Sequence, residues 1–347
     1  MNAPDITLRS VRQLRAAGFS DQNPALDRVV ATYAVAIPAG LAADIAATGL
    51  DGPLARQYLP SPEELDVAPF EQDDPTGDHT HAPVRGIVHR YPDRALLLPT
   101  QICAVYCRFC FRRERVGPEA GALSEAELGR ALDYIKAHPE IWEVILSGGD
   151  PLVLSRRRLS QIVAELDRIP HVAVIRIHSR VPVAAPEMVD DGVIAALQET
   201  GKPVFIVVHC NHAAEITPRA AAALRRLRAA GVMLLSQSVL LRGVNDSETA
   251  LEALFRGLLA AGVKPYYLHQ LDAAPGTARF HVPLERGRAL VKALRGKLSG
   301  LAQPVFVLDV PGGSGKVPVG PNYIRGVDGG FELVEGLDGA IHSLSRG

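Results

Sequence analysis

The sequence has little net charge, few cysteines and no long apolar run, and each shortage excludes something. A formal net charge of -1 over 347 residues removes the general attraction to nucleic acid or anionic membranes that a basic surface provides, so a small-molecule partner is expected. Four cysteines are too few for a secreted disulfide framework, and clustered thiols suit a reducing compartment, which makes the cytoplasm the expected location. The opening residues, Met1-Asn-Ala-Pro-Asp-Ile6, lack the basic start and apolar core of a signal peptide, so no export is expected. The most apolar early stretch, residues 29–45, contains Pro38 and Gly40 and falls short of the roughly 20 residues of a membrane span. It reads as buried helix and turn. With 47% hydrophobic and 22% charged residues the composition is that of a globular chain able to bury a large core.

Residues 1–85 read as an N-terminal helical extension broken by prolines. A helix is predicted from Ile6 to Ala17, with Ile6, Val11 and Leu14 at amphipathic spacing. Residues 69–83 read as an irregular loop, with His79 and His81 solvated. From residue 86 short apolar runs alternate with helical stretches, and strands are predicted at 95–98, 143–146, 172–177, 203–208, 232–240, 264–268 and 304–308. Helix starts are marked by the Ser124-x-x-Glu127 capping box and by Thr217-Pro218. Parallel strands with crossover helices follow, giving an α/β fold with an incomplete (β/α)6-type barrel over 86–303 and a short C-terminal segment over 304–347. In such folds chemistry sits on loops leaving the C-terminal ends of the strands.

Three of the four cysteines, Cys103, Cys107 and Cys110, fall in C-x3-C-x2-C spacing. Three thiolates this close can hold three irons of a cubane cluster and leave the fourth open to a ligand. The alternative is a zinc knuckle, which usually takes paired C-x2-4-C units or a matching His, and neither follows here. Cys210 stands alone after an apolar run and reads as a small buried hydrophobe. Ser147-Gly148-Gly149-Asp150-Pro151 is a tight turn after a strand, where the two glycines permit close backbone approach. Asp309-Val-Pro-Gly-Gly-Ser-Gly-Lys316-Val places a lysine in a glycine turn after another strand. A P-loop is excluded, because Val310 replaces the first glycine and Val317 follows the lysine. The remaining chemical use of such a lysine is a Schiff base to pyridoxal 5′-phosphate (PLP).

The cysteine spacing resembles the radical S-adenosylmethionine (SAM) superfamily, and with the PGGSGK loop the chain resembles the PLP-dependent lysine 2,3-aminomutases over residues 36–323. Matching stretches include His89-Arg-Tyr-Pro-Asp-Arg94, Arg176-Ile-His-Ser-Arg180, His209-Cys-Asn-His212, Gln237 to Asp246 and Tyr266-Tyr-Leu-His-Gln-Leu-Asp272. The resemblance implies a radical SAM barrel and an isomerase that moves the α-amino group of L-lysine to C3. A [4Fe-4S] cluster would sit on Cys103, Cys107 and Cys110, with SAM on its open iron and against Ser147, Gly148, Gly149 and Asp150. PLP would sit on Lys316 with Arg90 and Arg94 around it. Arg112 would receive the substrate carboxylate and Asp272 and Asp309 its distant ammonium, an acidic pair that glutamate-using relatives lack. An electron donor such as flavodoxin or ferredoxin is implied, and a homo-oligomer is an open expectation. Phe111 resembles the branch that makes β-lysine for elongation factor P, whereas the PGGSGK loop resembles the free-lysine branch. About 30 residues follow Lys316, without the long cysteine-bearing extension of larger members.

Overall fold

The computed structural model describes residues 6–345. Nine strands lie side by side in chain order: β1 (Ile87–Tyr91), β2 (Arg94–Thr100), β3 (Glu143–Gly148), β4 (Val174–Ser179), β5 (Val204–His209), β6 (Met233–Val239), β7 (Lys264–His269), β8 (Val305–Asp309) and β9 (Lys316–Pro318). Neighbours from β2 to β8 are parallel, while β1 and β9 finish the two edges antiparallel. The parallel sheet curls into a half-barrel, as the βα alternation predicts. The seven strands expected from sequence are β2 to β8, displaced by no more than a few residues.

Four helices precede the sheet, α1 (Val11–Ala16), α2 (Ala25–Thr32), α3 (Ala39–Thr48) and α4 (Pro53–Tyr58). Crossover segments carry α5 (Glu125–Ala137), α6 (Arg156–Asp167), α7 (Val181–Ala184), α8 (Asp191–Leu197), α9 (Pro218–Ala229), α10 (Glu248–Ala260) and α11 (Leu284–Arg295). Each long crossover helix buries one stripe. In α10 it is Leu251, Leu254, Phe255 and Leu258, the i, i+3, i+4, i+7 spacing of a helix lying on a sheet. Both predicted caps form: Ser124 and Glu127 exchange side-chain bonds at the start of α5, and Thr217 caps α9 with Pro218 in its first turn. Cys210 is fully buried in the core between sheet and helices.

Three features depart from the sequence reading. The first helix begins at Val11, capped by Ser10, and Ile6 lies outside it and is exposed; a side-chain oxygen that can satisfy the first free N–H groups fixes a helix start more firmly than apolar spacing does. The hairpin partner β1 and the short return strand β9 have no apolar run of their own. Beyond β9, a separate three-stranded antiparallel sheet forms from β10 (Ile324–Asp328), β11 (Phe331–Glu335) and β12 (Ile341–Ser345). Its strands are largely exposed, so they carry little of the hydrophobic contrast by which strands are read.

The extension is not a loose preface. Its apolar cluster, including Leu14, Ile37, Leu41, Ile45 and Leu54, also takes in Val105 from the cysteine loop and Ala184 from α7. Glu64, fully buried, accepts from Arg108 Nε at 3.0 Å and is ion-paired with Arg113, two arginines that flank Cys110. Burial alone would raise this carboxyl, but Arg108, Arg113 and Arg279 outweigh it and hold it below the usual range. Removing one partner of a buried charge group leaves the others unpaired, at a cost of about 3–5 kcal/mol. Glu64→Ala is therefore expected to lower the unfolding free energy of the apo-protein, measured by denaturant titration, by that amount. A loss under about 1 kcal/mol would show that the three arginines reach water without it.

Candidate active site

A cavity of about 560 Å³ opens at the C-terminal ends of the strands. All thirteen residues singled out from sequence line it, although they come from positions 90 to 316. The reason is topological: in a parallel sheet every strand delivers its C-terminal loop to the same edge.

The cysteine loop leaves β2 and is fitted against the loop after β3. Gly149 donates to the Thr100 carbonyl at 2.8 Å and Asp150 to the Ile102 carbonyl at 2.9 Å. A Cβ on Gly149 would lie 2.3 Å from the Ile102 oxygen, and one on Gly148, whose φ is 98°, would lie 2.7 Å from the Thr100 oxygen. Both glycines thus admit the backbone that leads into Cys103. The Asp150 carboxylate accepts from Ser179 Oγ at 2.8 Å and from the backbone N–H groups of Arg180, Val181 and Leu152, so it ties the ends of β3 and β4 together.

The cysteines have free thiols. Among the described residues no three His, Cys, Asp or Glu side chains converge closely enough to hold one metal ion. The three thiols of the loop lie close enough to influence one another's ionisation, and in a polynuclear cluster each sulfur would take a different iron. Arg180, which pairs with Glu215 at 2.9 Å and with the Tyr58 hydroxyl at 2.8 Å, lies close enough to Cys107 for each to influence the other's ionisation.

At the opposite side of the cavity, Asp309 ends β8 and Lys316 begins β9 as its register partner. The Pro311-Gly-Gly-Ser-Gly315 turn between them passes Gly312, Gly313 and Gly315 at positive φ, which glycine adopts without cost. Lys316 is ion-paired through Nζ with Asp309, its Nζ is 3.3 Å from His269 Nδ1, and its backbone N–H donates to the Tyr91 hydroxyl at 2.7 Å. Arg90 bridges Asp309 at 3.4 Å and Asp78 at 3.3 Å. Arg94 instead stacks on the Tyr91 ring at 3.8 Å and pairs with Asp93 at 2.6 Å at the cavity's edge.

Arg112 donates through Nε to Asp78 at 2.8 Å and through Nη1 to Ser147 Oγ at 3.4 Å, and lies over the Phe111 ring. Asp78 was invisible in the sequence because it sits in an irregular segment without periodicity. Buried between Arg90 and Arg112, it orients both. The same loop corrects the reading of His81, which lodges against Gly313 of the glycine turn while His79 stays exposed. His269, Arg180 and Glu64 were likewise missed as site neighbours, since an internal residue of an apolar strand or a lone charge carries no spacing signal.

The two aspartates differ sharply. Burial would raise Asp309, but His269 and Lys316 overcome it and hold the carboxyl well below the usual range. Asp272, which follows β7, is pushed up to about 7 by burial and then by the charge of Asp309. One carboxyl is held in the ionised range and the other is left near neutrality. Elsewhere in the lining, Arg90 Nε, Arg176 Nε, His178 Nε2 and His269 Nε2 are buried without partners, which suits a cavity built to enclose polar ligands.

Comparison with known proteins agrees with this geometry. The profile described as "Radical SAM superfamily" matches residues 97–254, and that described as "Lysine-2,3-aminomutase" matches residues 291–342. L-lysine 2,3-aminomutase of Clostridium subterminale is 40% identical over 294 residues, covering 85% of this chain and 70% of that protein. That of Methanococcus maripaludis is 40% identical over 300 residues, 86% and 69% of the two chains, and that of Escherichia coli is 39% identical over 269 residues, 78% of each. The half-barrel, the cysteine loop at its rim, the glycine-turn lysine and these similarities together show that this chain belongs to the lysine 2,3-aminomutase family of the radical SAM superfamily.

Proposed function

We propose that the protein is an isomerase that converts L-lysine to β-lysine, using a [4Fe-4S] cluster, SAM and PLP. The observation that carries this reading is charge placement. Arg112 stands with Asp272 and Asp309 in the same cavity as the three cysteines and Lys316, a pattern complementary to an amino acid with a second, distant cation. Cys103, Cys107 and Cys110 would hold the cluster, Ser147, Gly148, Gly149 and Asp150 would border SAM, and Lys316 with Arg90 and Arg94 would hold PLP. When bound, the cluster and SAM supply a deoxyadenosyl radical for hydrogen abstraction, and PLP supplies the π-system that carries the migrating nitrogen.

The chain's own side chains then bind and orient. Because Asp78 occupies Nε of Arg112 and Ser147 takes one bond from Nη1, Nη2 and the second N–H of Nη1 are the donors proposed for a carboxylate. Asp309 holds a cation already, the Lys316 ammonium. With Lys316 Nζ given over to PLP, the Asp309 carboxylate would keep Arg90 and would have a place for the substrate's side-chain ammonium. Asp272, lacking a fixed cation, completes the ammonium site from β7. The extension to residue 85 clamps the cysteine loop, the core to 303 carries the radical chemistry, and the segment from 304 carries the lysine. A single-electron donor of the flavodoxin or ferredoxin type would reduce the cluster. No helix among the described residues is long and apolar enough to cross a membrane.

Anaerobic reconstitution followed by assay against a panel of amino acids tests the reading, with β-lysine from lysine as the expected product. Equal turnover of glutamate or alanine would overturn it. The acid–base behaviour gives a second expectation. Asp272 must be ionised to receive an ammonium, and its carboxyl titrates at about 7 before substrate arrives. As pH falls through 7 the carboxyl gains a proton, so kcat/KM for lysine should drop by about tenfold per pH unit below that point. Asp272→Asn should remove this acid limb; its persistence would assign the limb to another group.

A further inference from the structure

His269, at the end of β7, has a place in the site that the roles above do not use. Its Nδ1 lies 3.3 Å from Lys316 Nζ and 3.7 Å from Asp309 Oδ2, while its Nε2 is buried without a partner. The Tyr267 ring meets it edge-on at 5.6 Å, and His178 and His209 on β4 and β5 are the other ionisable groups that feel its charge. Lys316 as an ammonium has no lone pair with which to attack an aldehyde. Its bonded partner Asp309 is a poor proton acceptor, because the Lys316 charge beside it favours the ionised carboxylate.

We infer that His269 is a catalytic residue that carries protons between Lys316 Nζ and the departing oxygen while Lys316 condenses with the aldehyde of PLP, an inference that rests on the PLP reading of Lys316. The step balances without any redox change. A C–N bond forms, the C–O bond of the aldehyde breaks, one of the three ammonium protons stays on the imine nitrogen, and the other two leave with the oxygen as water. His269 Nδ1 takes each proton from Nζ and passes it to that oxygen, ending as it began. An imidazole suits the task because its two proton states are close in energy near neutral pH. Burial, and then the positive charge of Lys316, lower its affinity for protons, so the ring rests neutral with a lone pair free and gives up quickly any proton it takes.

The test follows PLP capture rather than turnover. The full-length protein, freed of PLP, is mixed with PLP, and the imine absorbance is recorded by stopped flow for the wild type, His269→Asn and His269→Ala, with and without imidazole in the buffer. Borohydride reduction and peptide mapping follow at the end point. Asparagine keeps a polar group beside Nζ but carries no proton. Capture should slow on the order of 100-fold in both variants, reach the wild-type final extent, and be restored by free imidazole in His269→Ala. Capture by His269→Asn within threefold of the wild-type rate would overturn the inference, as would a lower final extent at unchanged rate. Reductive labelling of a lysine other than Lys316 in the wild type would overturn the PLP reading itself, whatever the rates at His269.

Discussion

Replacing Cys107 by alanine will abolish deoxyadenosine formation from SAM in the anaerobically reconstituted, reduced protein. A cubane held by three thiolates has one protein ligand per iron on three corners, so loss of one leaves two corners open and the cluster is lost or converted. Cys103→Ala and Cys110→Ala should behave alike. Cys210→Ala is the control: that thiol is fully buried in the apolar core, its Sγ 3.5 Å from the His212 carbonyl, and its loss should leave SAM cleavage in place. Iron content, the brown absorbance and deoxyadenosine yield decide the matter, and deoxyadenosine at wild-type yield from the Cys107 variant would remove the cluster assignment.

Truncation of the ammonium site should have the second largest effect. A lysine side chain entering the cavity leaves water with its charge, and a buried charge left partly unpaired costs roughly 2–5 kcal/mol. At about 1.4 kcal/mol per factor of ten, Asp272→Ala should lower kcat/KM for lysine about 30-fold to several thousand-fold. Cluster content and PLP occupancy should be unchanged, because Asp272 holds neither. Asp309→Ala should cost more, since its carboxylate also pairs with Lys316 and Arg90, and PLP capture should change with it. A loss within about threefold in both variants would show that the substrate's cation is bound elsewhere. On the proposed reading, the two variants would separate Asp272 as a contact for substrate alone from Asp309, which also pairs with Lys316 and Arg90.

The division between sequence and structure is visible in these same residues. Spacing alone located Cys103, Cys107 and Cys110, because metal chemistry requires ligands within a short loop, and alternation located the seven parallel strands, because each buries an apolar run beneath an amphipathic helix. The glycine turn before Lys316 was legible for a similar reason: positive-φ positions leave a mark in residue type. What sequence could not supply was pairing across distance. Asp78 lies in a segment without period, yet it joins Arg90 to Arg112. Glu64 binds the arginines on either side of Cys110 from a helical turn some forty residues away. His269 is one residue of an ordinary strand until β8 and β9 bring Asp309 and Lys316 against it. Local chemistry and local burial are written into neighbouring residues, and so the chain determined its fold class, its cysteine loop and its glycine-turn lysine by itself. Which charge meets which depends on the curl of the sheet and the docking of the extension, and only the tertiary structure decided that, leaving one aspartate firmly ionised and the other near neutrality.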